Sequence, residues 1–442
     1  MSTVTKTTLP KKYHDAVVRW RDTFIPDYPL LEENWSKFFP RQPQFELCAY
    51  RDCSVCPNIE VGINEGKPKY ERACEMSHDE ANNLMKAVKA QASTEFGSIQ
   101  QHRLTLSRAQ NEQDQFWVLR MMAEELRHGY QMFHILLEDD WASVSDHKGE
   151  DLVEEVLSMR TGSHVLGAFN IDFDSFLDNA TFCTVIDRVG KYQLKMQKVS
   201  AYKPMSESMP PMLQEEAFHL AAGVGPLRRW ATEAGRGEGN VSMEMMQEAM
   251  FKWLPRGYDM FGDERGGGRN VKFGFKPMTN AVALQEYIDE MTLVLRDLNV
   301  RFVRGRVNGI NRERAEEIVD RIADGGTHEG VKPEDLLRMP HVSFLRRRGI
   351  HAYEQRDIDG TVVADFGELK KHLHRVLPSA YPAGRDYGQY VELVAKVADG
   401  EMEQHEAAAE MPQLSRVGGS CPCSNAVRWV QENGNGNPAV IS

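Results

Sequence analysis

The sequence predicts an all-α protein centred on a four-helix bundle. Three observations carry this. Apolar residues recur at three-to-four spacing through long stretches of the chain's middle, two of those stretches contain a Glu-x-x-His step, and each is preceded about thirty residues upstream by another stretch with one interior carboxylate. The chain of 442 residues is 41% hydrophobic and 27% charged, enough apolar material for a sizeable core and without the bias of a disordered chain.

A cap is expected over residues 1–76. It opens with a helix at about 12–24 and continues as a loop rich in proline and aromatic residues, which carries the first cysteines. Ser77 with Glu80 three residues on is a capping-box pattern, and Leu84, Val88, Ala92, Phe96 and Ile99 then form an apolar helical stripe ending near Leu106. A second helix, about 112–138, carries Val118, Met121, Met122, Met132, Ile135 and Leu136 on one side. After an acidic linker at 139–151, helical segments run to about 201, one of them containing Asp187. The Pro210-Pro211 pair is expected to open the next helix, since proline is tolerated in a first turn, and Gly223 and Gly225 to end or bend it. Further helices are expected at about 241–254, 280–303 and 311–323. The bundle is thus assigned to 77–305, with a helical and mixed extension over 306–442. Beyond about 340 this extension reads as a small mixed appendage with β-prone runs such as TVVADF and a loose tail.

Charge and composition exclude some functions. A formal charge of −12 argues against a general nucleic-acid binder, which needs surplus Lys and Arg against phosphates. The opening MSTVTKTTLPKKYHD lacks the apolar stretch of an export signal and no run of about 18 apolar residues occurs, so a cytoplasmic protein without a membrane partner is expected. The cysteines (48, 53, 56, 74, 183, 421 and 423) are odd in number, which speaks against a disulfide framework. Cys48, Cys53 and Cys56 have a spacing seen in iron–sulfur proteins, with Cys74, Cys421 or Cys423 available as a fourth ligand; zinc, a cluster or plain thiols all remain open there.

The chemistry lies in the bundle. Glu-x-x-His occurs three times among 14 histidines, where chance gives roughly one, so the step alone is weak. Glu75/His78 straddles the helix start at Ser77 and is set aside. The other two have company: Glu95 lies 30 residues before Glu125, and Asp187 lies 29 before Glu216. The two sets are offset by 92 residues at the leading carboxylates and by 91 at the Glu-x-x-His steps, as expected for two helical hairpins related by a pseudo-twofold axis. Residues three apart share a helix face, so Glu125 with His128, and Glu216 with His219, each present a carboxylate and an imidazole inward. An isolated interior histidine is ordinarily a hydrogen-bonded core residue. Six interior polar groups in two matched sets are instead the di-metal pattern of ferritin-like four-helix bundles, and four carboxylates with two imidazoles suit iron or manganese. Glu124 and Glu215, one step round the helix, are read as surface groups or as supports behind the ligands.

At these residues the chain resembles the phenylacetic-acid-catabolism group of bacterial di-iron oxygenases, in particular its benzoyl-CoA epoxidase oxygenase components. The spacing Glu95 to Glu125-x-x-His128, then Asp187 to Glu216-x-x-His219, is similar to that pattern, aspartate included. Gln91, one turn before Glu95, stands where the benzoyl-CoA enzymes have glutamine and the phenylacetyl-CoA relatives lysine. The stretch MFGDERGGGRNVKFGFKPMTN also resembles a segment following the last ligand helix. The resemblance covers roughly residues 80–300 and leaves both ends of the chain unmatched. It implies a di-iron centre held by the six residues and supported by Gln91, electrons from a separate reductase, O2 as co-substrate, and epoxidation or hydroxylation of an aromatic acyl-CoA. CoA phosphates would find cations in Arg228 and Arg229, or in Arg265 and Arg269. A rival is a di-iron oxygenase of specialised metabolism acting on an amine or on a carrier-bound or free aromatic substrate. A ribonucleotide reductase radical subunit is disfavoured because Met132 stands where that family has its radical tyrosine.

Overall fold

Local signals in the sequence fix most of the helix starts in the computed structural model. It describes residues 4–342, save 43, 162–163 and 263–267, together with 396, 400–403 and 406. Among them lie strands β1 (Val4–Thr7) and β2 (Ala49–Asp52) and helices α1 (Lys11–Phe24), α2 (Tyr28–Phe38), α3 (His78–Thr105), α4 (Glu112–Leu137), α5 (Gly149–Ser158), α6 (Phe176–Gln197), α7 (Lys203–Arg236), α8 (Met243–Met260), α9 (Arg269–Lys272), α10 (Asn280–Arg306) and α11 (Arg312–Ala323). The strands pair antiparallel, Val4 opposite Asp52 and Thr7 opposite Ala49. They are a small exception in a mostly helical chain. The expected mixed appendage, TVVADF included, lies outside the described residues.

Ser77 accepts from the backbone N–H of Glu80, whose carboxylate returns to the Ser77 N–H, so α3 opens on a reciprocal cap. Glu75 sits in a separate turn before that cap, and His78 pairs with Asp146 at the surface. The side chains of Asn111, Ser242, Thr279 and Asn311 cap α4, α8, α10 and α11, each accepting from the backbone N–H three residues on.

Two expectations fail. The aromatic-rich stretch after α1 is not all loop, because Pro29 occupies the first turn of α2, where its missing N–H costs nothing. Nor does the Pro210-Pro211 pair open the helix bearing Glu216: the first-turn proline is Pro204, and α7 runs through Pro210, Pro211 and Pro226 without stopping at Gly223 or Gly225. Its packing against α4, α6 and α10 outweighs the backbone bonds the prolines forgo.

α3 packs along α4, and α6 along α7, while α4 meets α7 and joins the two hairpins. One continuous apolar core runs from Leu9 in the N-terminal segment to Leu337 after α11. The described helices include none long and apolar enough to cross a membrane.

Candidate metal centre

Each of the two hairpins brings one carboxylate from its first helix towards a Glu-x-x-His step on its second. Glu95 on α3 meets Glu125 and His128 on α4, and Asp187 on α6 meets Glu216 and His219 on α7. None of these six residues is more than 5% exposed. Two groups have ligand atoms close enough to share an ion, Glu95 with Glu125 and His128, and Glu125 with Asp187 and His219. Glu125 belongs to both and so lies between them. Glu216 stands against the second group, its Oε2 3.1 Å from His219 Nδ1.

The imidazoles are oriented from behind. His128 Nδ1 faces inward, 3.7 Å from Glu95 and 3.6 Å from Glu125, while its Nε2 is 3.0 Å from Glu215 Oε2. His219 repeats this, with Nδ1 3.7 Å from Glu125 Oε1 and Nε2 3.2 Å from Glu124 Oε2. With a carboxylate accepting behind it, each Nε2 is the donor, so a metal ion bound inside would take the lone pair of each Nδ1. The support is crossed: the glutamate preceding each motif holds the histidine of the other. Both carboxylates are anchored by arginines on α4. Arg120 Nε donates to Glu124 at 2.9 Å and its guanidinium lies 3.9 Å from the Phe218 ring centre. Arg127 Nε donates to both Glu215 oxygens at 3.0 Å.

Electrostatics show what burying four carboxylates without a cation entails. Burial and the charge of Glu216 push Asp187 up to about 8, and burial with the charge of Glu95 raises Glu125 well above the carboxylate range. Burial works against the charged imidazoles, yet the nearby carboxylates of Glu125, Glu215 and Glu95 raise His128, and those of Glu124 and Glu216 raise His219. Glu95, also opposed by burial, is held lower by Glu125, His128 and the Gln91 amide, which donates to its Oε1. Glu215 falls to about 2 despite burial, because Arg127 and His128 flank it. Asp187 Oδ2 and His219 Nδ1 remain buried without a hydrogen-bond partner. Two divalent cations would neutralise the four carboxylates and satisfy both orphaned atoms, so the residues present fit a di-metal centre.

A cavity of about 180 Å³ adjoins the group, lined by Glu95, Glu125, Asp187 and Glu216 and by apolar side chains such as Leu166, Phe169 and Ile186. A second cavity of about 410 Å³ lies behind the histidines, between the N-terminal segment and the α4–α7 pair, with Arg120, Glu124, Arg127 and Glu215 in its wall.

The remaining candidates stand elsewhere. Arg228 pairs with Asp297 at 2.8 Å and Arg229 with Asp114 at 2.6 Å, and neither lines either cavity. Arg269 opens α9 and is exposed, and Arg265 lies outside the described residues. Cys48, Cys53, Cys56 and Cys74 are free thiols, no three of which come together to hold an ion; Cys421 and Cys423 lie outside the described residues. The supporting residues Arg120, Arg127 and Phe218 had no assigned role in the sequence, although the Glu-Glu doublet at 124–125, repeated at 215–216, was a signal for the crossed carboxylates.

No protein-family model matches the chain. Over 171 residues, 39% of its length, it is 28% identical to benzoyl-CoA oxygenase component B of Aromatoleum evansii. The chain is similar to an oxygenase component. The match spans 35% of that protein, so the chain covers about a third of the curated relative it resembles.

Proposed function

We propose that this chain is the oxygenase component of a system with a separate reductase, and that its α3–α4 and α6–α7 hairpins form a ferritin-like bundle. In this reading Glu95, Glu125, His128, Asp187, Glu216 and His219 hold two iron ions. The observation that carries it is the crossed support of two inward-facing histidines around four buried carboxylates, with Asp187 Oδ2 and His219 Nδ1 left without a hydrogen bond in the interior. Iron bound there supplies reductive activation of O2, and the acceptor we propose is the ring of an aromatic acyl-CoA thioester, leaving as an epoxide or hydroxylated product.

The protein's own groups serve that chemistry in stated ways. Glu124 and Glu215 keep the proton of each imidazole on Nε2. Gln91 fixes the rotamer of Glu95 by donating to it. Leu166, Phe169 and Ile186 exclude water from the carboxylates' open side. The cavity is close in size to the ~150 Å³ apolar site known to take up benzene, so it suits one ring and not two.

The test is anaerobic reconstitution with ferrous iron, then addition of reductant, labelled O2 and a panel of aryl-CoA thioesters, free acids and amines. Two irons per chain and label in the ring of a thioester alone support the proposal. Protein that binds no transition metal defeats it, and turnover of free amines or unactivated aromatics would transfer it to the rival class.

A further inference from the structure

The smaller cavity follows two helices away from the carboxylates. On α3 its wall runs through Ala87, Ala90, Gln91, Thr94 and Glu95, at the three-to-four spacing of one helix face; on α6 it runs through Asp187, Gly190, Gln193, Leu194 and Gln197. From Glu95 back to Ala87 α3 rises about 12 Å, and from Asp187 on to Gln197 α6 rises about 15 Å. Both outer ends meet the same segment after α8: Asn83 donates to Asn270, and Lys276 donates to Gln193 at 2.8 Å. The two stripes therefore flank one passage. Glu95 and Asp187 at its inner end are buried, while Ala87, Ala90, Thr94, Gly190 and Gln193 farther out are partly exposed.

The passage stays open because the helices that form it scarcely touch: α3 packs along α4, and α6 along α7. Its outer half carries the small residues Ala87, Ala90 and Gly190, while Ile186 and Phe169, which lies against Gly97, stand at the inner end. The polar side chains between are turned onto α3 itself, Thr94 Oγ1 donating to Gln91 O at 2.7 Å and Gln91 to Glu95, so neither bars the way. Small residues alone would mark nothing, but these lead to Asp187, whose Oδ2 is buried without a hydrogen bond. About 180 Å³ drawn out over such a length is one ring wide, with no room for two abreast.

We propose that the substrate enters between α3 and α6, ring first, and that Ala87 and Ala90 set the width of this route, so that the chain selects an aromatic ring carried on a slender, unbranched arm. In the bound state the arm lies against those two alanines and the bulk of its carrier stays outside. This rests on the aryl-thioester reading above and adds to it an entry route and two residues that read the substrate's shape.

The experiment compares two probes, benzoyl-CoA and diphenylacetyl-CoA, whose two rings branch beside the carbonyl. Their dissociation constants are measured by calorimetry on the iron-loaded full chain under anaerobic conditions, without turnover. Wild type is expected to bind benzoyl-CoA about 10-fold or more tightly than the branched probe. Ala87→Phe and Ala90→Phe, at partly exposed positions, should each weaken benzoyl-CoA by about 10-fold or more, with iron content and melting unchanged. Should either lose iron or stability, Ala90→Leu is read in its place by the same criterion. Ala90→Ser, which keeps the width, and Gln44→Trp, at an exposed position on the larger cavity, should bind as wild type does. Iron-loaded phenylalanine variants that bind benzoyl-CoA like wild type overturn the route while the thioester reading stands, and so does weakening by Gln44→Trp. Equal binding of the two probes by wild type, or equal weakening by Ala90→Ser, overturns the assignment of width. If wild type with its full iron content binds neither probe, the thioester reading fails and the route with it.

Discussion

Asp187 is a costly group among the six that face inward. Burial and the neighbouring Glu216 push its carboxyl up to about 8 from an ordinary 3.8, and one of its oxygens has no partner. The sign for the metal-free protein follows from linkage. The folded state binds the proton more tightly than the unfolded state, so between about pH 4 and 8 a rise in pH removes stability. Asp187→Asn removes that cost. Metal-free Asp187→Asn should melt at least ~2 °C higher than metal-free wild type at pH 7.5, yet fail to retain a second metal ion. A lower melting point, measured by calorimetry with chelator present, would contradict the account. The same protonation predicts that loading metal releases protons, because Asp187 and Glu125 both carry raised values. Titrating divalent iron or manganese into weakly buffered, metal-free protein should acidify the solution, with apparent affinity rising as pH rises towards 8. The six candidates were legible one residue at a time because Glu-x-x-His steps and matched offsets survive in a linear reading. Arg120 and Phe218 were not, since their pairing joins α4 to α7 and nothing local requires it.

Helices α6 and α7 show where a sequence carries an element and where it hides one. Caps at Ser77 and Asn111 act within four residues, so the starts of α3 and α4 lay within about two residues of expectation. The start of α7 was misplaced because a proline pair that local rules put at a helix start lies in its interior, where tertiary packing decides. Two glycines on this pair of helices have opposite consequences. A Cβ on Gly190 would lie 2.6 Å from Glu216 Oε1, the end of a flexible side chain. Gly190→Ala should therefore leave the melting point unchanged or raise stability by roughly 0.5–1 kcal/mol, while displacing Glu216 and lowering metal affinity. A Cβ on Gly223 would meet Thr184 N at 2.6 Å and Ala180 O at 2.8 Å, backbone atoms of α6 that cannot step aside. Gly223→Ala should cost ~1–3 kcal/mol in denaturant unfolding by forcing the helices apart. If both variants lost only stability, or only metal, the close α6–α7 approach would not be placing Glu216 as described.

At the scale of the molecule, what the N-terminal segment covers was not legible in the sequence, because its contacts reach more than eighty residues away. Leu9 N–H donates to the Tyr130 hydroxyl at 2.8 Å and Tyr50 N–H to Gln131 Oε1 at 2.7 Å, so β2 and the link between β1 and α1 are sewn onto α4. The Tyr50 ring lies 4.7 Å from the Arg127 guanidinium and the Trp35 ring 5.4 Å from that of Arg120. The cap thereby roofs both arginine–glutamate pairs that orient the imidazoles, keeping them in surroundings where salt screens poorly. Removing part of that roof should convert a buried support into one exposed to water. In Tyr50→Ala, Arg127 and Glu215 gain solvent, their attraction weakens, and His128 is held less firmly on its Nε2 side. The expected result is loss of metal to a chelator ~10-fold faster than wild type, with a further increase between 0.1 and 1 M salt that wild type does not show. Far-UV circular dichroism should be unchanged, because the helices keep their mutual packing. Chelation kinetics identical to wild type at both salt concentrations would mean that the cap plays no part in holding the centre, and that the crossed carboxylates suffice without their cover.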